Sequence, residues 1–240
     1  MEQFSITNGE LVRYNGNYRV VDIPEGVTKI EMGAFFGYNS GLITTINVPD
    51  SVTEIDMMTF SSCHALEKIT LPSKLQTIDD RLFSGCRRLK EITIPESVTT
   101  IGHSAFSFCS SLTSVVVPAG ITAIESGVFH GCSALTEVVL PETITSIGES
   151  AFADCSSLKK LTIPEGVTSI DKLAFSGCSA MTKIVIPNSV TSIGKKAFAK
   201  CTRLALVTLP KHLAGDEPKY KGAKKLLGKI FKQIKLTVTE

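Results

Sequence analysis

The sequence predicts a solenoid: a right-handed β/α superhelix whose short strands stack as a parallel sheet, with mostly loops and short helical turns on the other side. Three observations support this fold class: prolines at one spacing, apolar columns at fixed distances after each proline, and a strand pattern before each proline. One such unit cannot bury its apolar side alone, so neighbouring units are expected to stack into a continuous core.

Proline sets the register of the repeat. The first interval between the recurring prolines is 25 residues and the other seven are 23, with the two extra residues around 37–41. Because proline cannot donate to a ladder, each one is expected to end a strand, and a pair such as Glu165-Gly166 then turns the chain. The positions are Pro24, Pro49, Pro72, Pro95, Pro118, Pro141, Pro164, Pro187 and Pro210.

A leucine-rich pattern precedes each proline, as in Leu158-x-x-Leu161-x-Ile163-Pro164. Its last three residues before the proline alternate inward, outward and inward, which is typical of a short half-buried strand. Neighbouring strands lie about 4.8 Å apart, so nine of them predict one parallel sheet roughly 40 Å long.

Two apolar columns follow the proline and are predicted to form ladders in the core. The segment that starts at the isoleucine and contains the phenylalanine, for example residues 170–178, is expected to form one helical or 3-10 turn, because it is too short for a full helix. The isoleucines are Ile30, Ile55, Ile78, Ile101, Ile124, Ile147, Ile170 and Ile193, and the phenylalanines are Phe35, Phe60, Phe83, Phe106, Phe129, Phe152, Phe175 and Phe198.

Seven cysteines share one column, fourteen residues after the proline. Stacked equivalents have parallel Cβ vectors, which argues against disulfides, and we expect buried reduced thiols that pack as small hydrophobes. Some bridging, or metal binding, is the alternative interpretation. The column is Cys63, Cys86, Cys109, Cys132, Cys155, Cys178 and Cys201.

No arrangement of residues predicts catalysis. The histidines, His64, His103, His130 and His212, fall in four different columns, so no two are spaced as ligands on one face. Motifs for a nucleophile elbow, a zinc protease or a phosphate loop do not occur in the sequence. We therefore predict no enzyme, no catalytic residue, no metal and no cofactor.

Hydroxyl side chains recur in the turns. A threonine follows the valine of most repeats, as at Thr145 and Thr168, and is predicted to form a hydroxyl ladder that bonds turn backbone groups. Serine pairs such as Ser156-Ser157 are expected to hydrogen-bond within turns.

The residues four and two positions before each proline face out of the predicted sheet and are the candidate partner-binding surface. Opposite charges on neighbouring strands, Lys68 with Glu91 and Glu137 with Lys160, are expected to interact by roughly 0.2–1 kcal/mol. The surface has no aromatic anchor, so an ordinary solvated face is the alternative. The candidates are Lys68, Thr70, Glu91, Thr93, Glu137, Lys160, Thr162 and Lys183.

The C-terminal region differs in composition, since residues 211–240 hold eight lysines and three acidic residues. Over residues 217–238, Leu226, Leu227, Ile230, Phe231 and Ile234 recur at helical spacing between lysines, which predicts an amphipathic basic helix starting near residue 222. Its interpretations are a cap on the open solenoid end and a surface for an anionic membrane or a nucleic-acid backbone. The predicted domains are an N-terminal cap (1–19), about eight to nine tandem repeats (20–213) and a C-terminal capping helix or strand segment (214–240).

The consensus L-x-x-I-x-I-P-x-x-V-T-x-I-G-x-x-A-F-x-x-C resembles the BspA-like leucine-rich repeats of bacteria and some protozoa, most clearly at residues 158–180. The match covers residues 20–210, and the opening Phe4-x-Ile6-x-Asn8-Gly9 resembles the segment that caps such arrays. The resemblance implies a leucine-rich-repeat solenoid at the cell surface or secreted, binding host or cell-surface partners.

These observations together predict a non-enzymatic, monomeric interaction module that binds a protein or glycan ligand. The formal net charge of +2 gives no field that selects nucleic acid, so no nucleic-acid partner is expected. The start of the sequence has no secretory signal pattern, which leaves a cytoplasmic location open. A peripheral membrane protein acting through the basic tail and an intracellular scaffold are the alternatives.

Overall fold

The computed structural model describes residues 3–35, 41–215, 222–223, 227–232 and 234–239. Within these ranges the chain is a parallel-strand solenoid, which confirms the predicted fold class. Most coils consist of a strand before the proline, a two-residue strand after it, and a segment of turns. The insertion predicted around residues 37–41 lies outside the described residues except for Gly41.

The elements follow the repeat along the chain. A short helix, α1, spans Lys211–Ala214 and a 3-10 helix spans Gly228–Lys232. The strands are β1 (Phe4–Thr7), β2 (Glu10–Tyr14), β3 (Val20–Asp22), β4 (Lys29–Ile30), β5 (Thr45–Asn47), β6 (Glu54–Ile55), β7 (Lys68–Thr70), β8 (Thr77–Ile78), β9 (Thr100–Ile101), β10 (Ser114–Val116), β11 (Ala123–Ile124), β12 (Glu137–Val139), β13 (Ser146–Ile147), β14 (Ser169–Ile170), β15 (Lys183–Val185), β16 (Ser192–Ile193), β17 (Leu206–Pro210) and β18 (Lys235–Thr239).

The strands that precede the prolines form sheet A. Its parallel blocks are β3-β5-β7, β10-β12 and β15-β17-β18. In most of these strands a buried residue lies between two exposed ones, as Val138 does between Glu137 and Val139. The inward and outward alternation predicted for the strands is therefore confirmed.

Sheet A is interrupted twice, so the prediction of one continuous sheet is wrong. Residues 91–93 and 160–162 are not strands and pair with neither neighbour. Ladder bonds persist inside each block, for example from Val117 N to Val139 O at 3.0 Å. The apolar residues of the interrupted segments still point inward, since Ile92 is half-buried against the core and Leu161 is buried. Packing in the core therefore keeps these coils stacked where the backbone ladder opens.

A second sheet, sheet B, lies where the sequence predicts mostly loops and short helical turns. It consists of the two-residue strands that end on the isoleucine column, together with β1 and β2 at the start of the chain, in the blocks β1-β2-β4-β6, β8-β9 and β11-β13-β14-β16. All its strand pairs are parallel except that of β1 with β2. Isoleucines of successive coils face each other, as Ile147 faces Ile170. The residue before each isoleucine points outward, so the isoleucine is the one side chain that each of these strands contributes to the core.

The segment between the isoleucine and the cysteine is a run of turns, and the predicted helical or 3-10 turn does not form. Alternate N–H groups bond within the coil and to the next coil: Ala174 N donates to Asp171 O at 3.3 Å, whereas Phe175 N donates to Ala197 O at 2.8 Å. Because every second donor leaves the coil, the consecutive internal bonds of a helix cannot form. This segment is the turn face of the solenoid.

The core is organised as the predicted ladders. Ring centroids of successive phenylalanines from Phe60 to Phe198 lie 5.4–5.7 Å apart in stacked orientation. The seven cysteines are free and buried beside them. From Cys86 to Cys201 each thiol donates to the carbonyl of an earlier phenylalanine, as Cys132 Sγ does to Phe106 O at 3.1 Å. The predicted burial of the cysteines is confirmed.

Hydroxyl groups connect the coils on the outside. Thr168 Oγ1 donates to Thr145 O at 3.1 Å, and the same bond recurs along the column, which confirms the threonine ladder. Ser156 Oγ donates to Ser133 O at 3.3 Å. The serines therefore bond to the preceding coil, where the sequence predicts bonds within their own turns.

The two ends are closed by different strands. At the start, β1 pairs antiparallel with β2, which joins sheet B through β4. At the end, β18 pairs in parallel with β17 and extends sheet A. The predicted basic helix is therefore wrong for residues 235–238, which lie in this strand. Of its apolar residues, Leu226 lies outside the described residues, whereas Leu227 is buried.

Candidate functional site

The candidate residues all lie on the outer surface of sheet A. We call this surface, formed by the residues four and two positions before each proline, the sheet A face. All eight predicted candidates are exposed on it: Lys68, Thr70, Glu91, Thr93, Glu137, Lys160, Thr162 and Lys183. The structure therefore places them on one surface, in the order that the repeat predicts.

The opposite charges on this face do not pair. Neither Lys68 with Glu91 nor Glu137 with Lys160 is among the ion pairs of the described residues, so the predicted interaction is wrong. The physical reason is the interruption of sheet A, because Glu91 and Lys160 stand on the two segments that leave the backbone ladder.

A cleft lies at each interruption. The first, of about 380 Å³, is lined by residues that include Lys68, Glu91 and Val116. The second, of about 410 Å³, is lined by residues that include Glu137, Val139 and Lys160. The first cleft thus holds one lysine and two glutamates, Glu91 and Glu96, and the second holds one lysine and one glutamate. None of these charged side chains has an ion-pair partner among the described residues, so they are free to bind a charged or hydrogen-bonding partner.

Exposed apolar side chains stand between and beyond these charges. Val116 is 60% exposed, and Val139, Val185 and Leu206 are 47%, 45% and 44% exposed. These residues belong to the outward columns of the sequence analysis but were not among its candidates, which were limited to charged residues and threonines. Their exposure makes the C-terminal half of the sheet A face partly apolar.

The turn face carries a second pattern, which the sequence analysis missed. Thirteen residues after each proline, glycine alternates with a larger residue: Ser62, Gly85, Phe108, Gly131, Asp154, Gly177 and Lys200. All seven have a positive φ. A Cβ on Gly131 would lie 2.6 Å from Phe108 Cδ1, and one on Gly177 would meet the Asp154 carboxylate. Gly131 and Gly177 therefore make room for the side chain of the preceding coil.

The larger residues of this column are exposed on the turn face. Phe108 is 51% exposed, and its ring centroid lies 4.8 Å from that of His130. His130 Nε2 in turn lies 3.5 Å from Asp154 Oδ2. The alternation of glycine, visible in the sequence at twice the repeat spacing, is the signal that could have identified these positions.

A larger cleft, of about 730 Å³, lies between the turn face and the 3-10 helix. Its apolar lining is Ala153, Leu173, Ala199 and Leu227, and its basic lining is Lys195, Lys196, Lys200, Lys229 and His130. Asp154 also lines it and contacts His130. We call this feature the turn-face cleft.

The cysteine column offers little reactivity. Burial raises the pKa of the Cys63, Cys132 and Cys201 thiols to about 12, and raises the pKa of the other four thiols. The nucleophile and metal ligand is the thiolate, which such a pKa disfavours. Among the described residues, no three His, Cys, Asp or Glu side chains are grouped to hold a metal ion.

The sequence matches one family of repeats. BspA type leucine rich repeat regions match residues 10–136 and 122–215, in six copies. The matched range contains both sheets except their terminal strands β1 and β18, the phenylalanine and cysteine ladders and the turn face, and it extends the range 20–210 of the sequence analysis at both ends. No curated protein matches the chain.

Solved structures of bacterial proteins share the fold. A leucine-rich repeat protein from Bacteroides ovatus has a TM-score of 0.74 and 24% identity over 98% of this chain, which spans 65% of that protein. One from T. pallidum has a TM-score of 0.58 and 26% identity, with coverage of 99% and 96%. A leucine rich cell surface protein from Faecalibacterium prausnitzii has a TM-score of 0.57 and 21% identity, with coverage of 96% and 90%.

Proposed function

The chain belongs to the BspA-type leucine-rich-repeat family, and from this premise we propose that it is a non-enzymatic module that binds a protein or glycan partner through the sheet A face. Repeat solenoids of this kind present extended surfaces that suit binding. The family and the fold alone do not specify a partner, so the proposal depends on the composition of that surface.

The observation that carries the proposal is the uncovered outer surface of a parallel sheet. Parallel sheets are normally covered on both sides, whereas sheet A exposes Val116 and Val139 to solvent. Exposed apolar residues rimmed by polar ones mark interaction sites. Here the rim consists of the unpaired Glu91, Glu137 and Lys160, which are free to orient a partner.

The test is a binding assay of the whole chain against a panel of matrix proteins and cell-surface glycans, by biolayer interferometry. We expect Val116→Asp with Val139→Asp to weaken any specific binding at least tenfold, because two carboxylates then stand in the contact area. The matched control is Thr77→Asp with Thr100→Asp, which adds the same charges to the outside of sheet B. Equal affinities of the two variants, at equal melting temperature, would place the binding elsewhere.

We further propose that the protein acts at the bacterial surface or after secretion, as an adhesin-like protein that contacts a host or another cell. The support is its likeness to bacterial proteins, of which the Faecalibacterium prausnitzii one is described as a cell surface protein. Antibody labelling of intact and permeabilised cells tests this location. Labelling only after permeabilisation, together with absence from the medium, would contradict it.

The described part of the C-terminal region favours the capping interpretation of the tail. Ala223 and Leu227 are buried in the core, and β18 pairs with β17. Apolar residues used in this way are not available to enter a bilayer. None of the helices in the described ranges is long and apolar enough to cross a membrane.

A further inference from the structure

We propose that the turn-face cleft binds an amphipathic organic anion, with an apolar body and a carboxylate, sulfonate or sulfate head. This site lies apart from the sheet A face and is independent of the function proposed for it. Its volume of about 730 Å³ lies within the range of small-molecule sites, which are largely apolar with a few polar groups that fix the ligand.

The apolar part of the ligand is inferred from the side chains between the lysines. Ala153 and Leu227 are buried, and Leu173 and Ala199 are half-buried, so they present hydrocarbon to the cleft. A simple inorganic anion would leave this hydrocarbon in contact with water. An aliphatic or aromatic body would instead cover it and gain about 25 cal/mol per Å² of apolar surface removed from water.

The negative head is inferred from the charges. Lys195, Lys196, Lys200 and Lys229 line the cleft, and none of the four has an ion-pair partner among the described residues. The acidic lining residue, Asp154, lies beside His130. Four lysines that have no ion-pair partner in the described part of the chain therefore surround apolar side chains, and an anionic head would neutralise part of this charge.

The experiment titrates the whole protein with 8-anilinonaphthalene-1-sulfonate, an amphipathic sulfonate whose fluorescence rises in apolar surroundings. We expect saturable binding that octanoate displaces, whereas octanol, which lacks the charge, and acetate, which lacks the apolar body, displace it at least tenfold less well. Absence of saturable binding, or equal displacement by octanoate and octanol, would overturn the proposal.

Two variants locate the site. Lys196→Gln with Lys200→Gln keeps side-chain length and removes two charges, and we expect it to weaken binding about tenfold. Lys160→Gln with Lys183→Gln makes the same change of charge on the sheet A face, and we expect it to leave affinity unchanged. Both variants are compared at equal melting temperature. Equal affinity of the two variants would show that the dye binds elsewhere and would overturn the proposal.

Discussion

Sheet A and the phenylalanine ladder run through the same coils, yet only the ladder is continuous. Where residues 91–93 leave sheet A, Phe83 and Phe106 still stack at 5.4 Å, and where residues 160–162 leave it, Phe152 and Phe175 stack at 5.5 Å. The core and the bonds of the turn face therefore set the stacking of coils. The sheet A face is therefore free to open clefts and to vary its side chains.

The largest expected effect on stability comes from truncating a side chain in the phenylalanine ladder. Phe129 is fully buried between two other rings, and Phe129→Ala is expected to lower the free energy of unfolding by about 3–5 kcal/mol. Val139→Ala on the sheet A face should change it by less than about 0.5 kcal/mol, because Val139 is largely exposed. Urea unfolding measures both. Comparable losses of unfolding free energy in the two variants would contradict the conclusion that the core, and not the sheet A face, determines stability.

The next effect is the dependence of stability on pH that the thiols impose. Burial raises the pKa of Cys132 from 9.0 to about 12, so above pH 9 the unfolded chain loses this proton while the folded chain keeps it. The contribution of each such thiol to the free energy of unfolding is fully present below pH 9. It is lost as the pH rises toward 12, at about 1.4 kcal/mol per pH unit.

The measurement is urea unfolding at pH 8, 9 and 10 under reducing conditions. Cys132→Ala should reduce the loss of unfolding free energy at alkaline pH by the amount expected for one thiol. The variant should still lose stability through its other cysteines. Thiol titration with a disulfide reagent at pH 8 should detect no fast-reacting cysteine until the chain unfolds. An identical alkaline slope with and without Cys132 would show that other groups cause the loss.

A smaller, stabilising effect is expected on the turn face. Arg81 is exposed and has a φ of 53°, which glycine adopts without strain. Arg81→Gly is therefore expected to raise the free energy of unfolding by about 0.5–1 kcal/mol. The control is Arg87→Gly, an exposed position outside the left-handed region, which should destabilise. The prediction fails if thermal melting shows the same sign for both variants.

The smallest expected effect is the difference in ion-pair coupling between the turn face and the sheet A face. Glu149 and Lys172, on the turn face side of neighbouring coils, form an exposed ion pair at 2.8 Å. A double-mutant cycle to alanine should give a coupling of about 0.2–1 kcal/mol for this pair. The same cycle on Glu137 and Lys160 should give a coupling near zero, because their side chains are unpaired. A larger coupling for Glu137 and Lys160 would mean that the second cleft closes in solution.

The sequence was sufficient for the parts of the fold that one repeated residue type determines. Isoleucine, phenylalanine and cysteine columns identify ladders because each coil buries the same position. Sheet B was missed because a two-residue strand such as Ser169–Ile170 has no alternation to detect. The interruptions of sheet A were missed because residues 91–93 and 160–162 fit the consensus as well as the paired strands do.

The candidate surface was predictable in position and not in detail. Position relative to proline identifies which side chains point outward, and Glu137 and Lys160 do so. Whether they pair depends on the separation of two backbone segments, which residue identity does not encode. The turn-face cleft was missed because its walls come from separate parts of the chain, Lys196 from the last coils and Leu227 from the tail.

The alternation of glycine with larger residues gives the turn face a structural period of two coils, although the core has a period of one. Deleting the coil that carries Gly131 would leave the stacked phenylalanines in register and would bring Phe108 against Asp154, which has no space for its ring. Arrays built on this pattern therefore tolerate changes of length by pairs of coils. A duplication or deletion of an odd number of coils has to be accompanied by a glycine at the new junction.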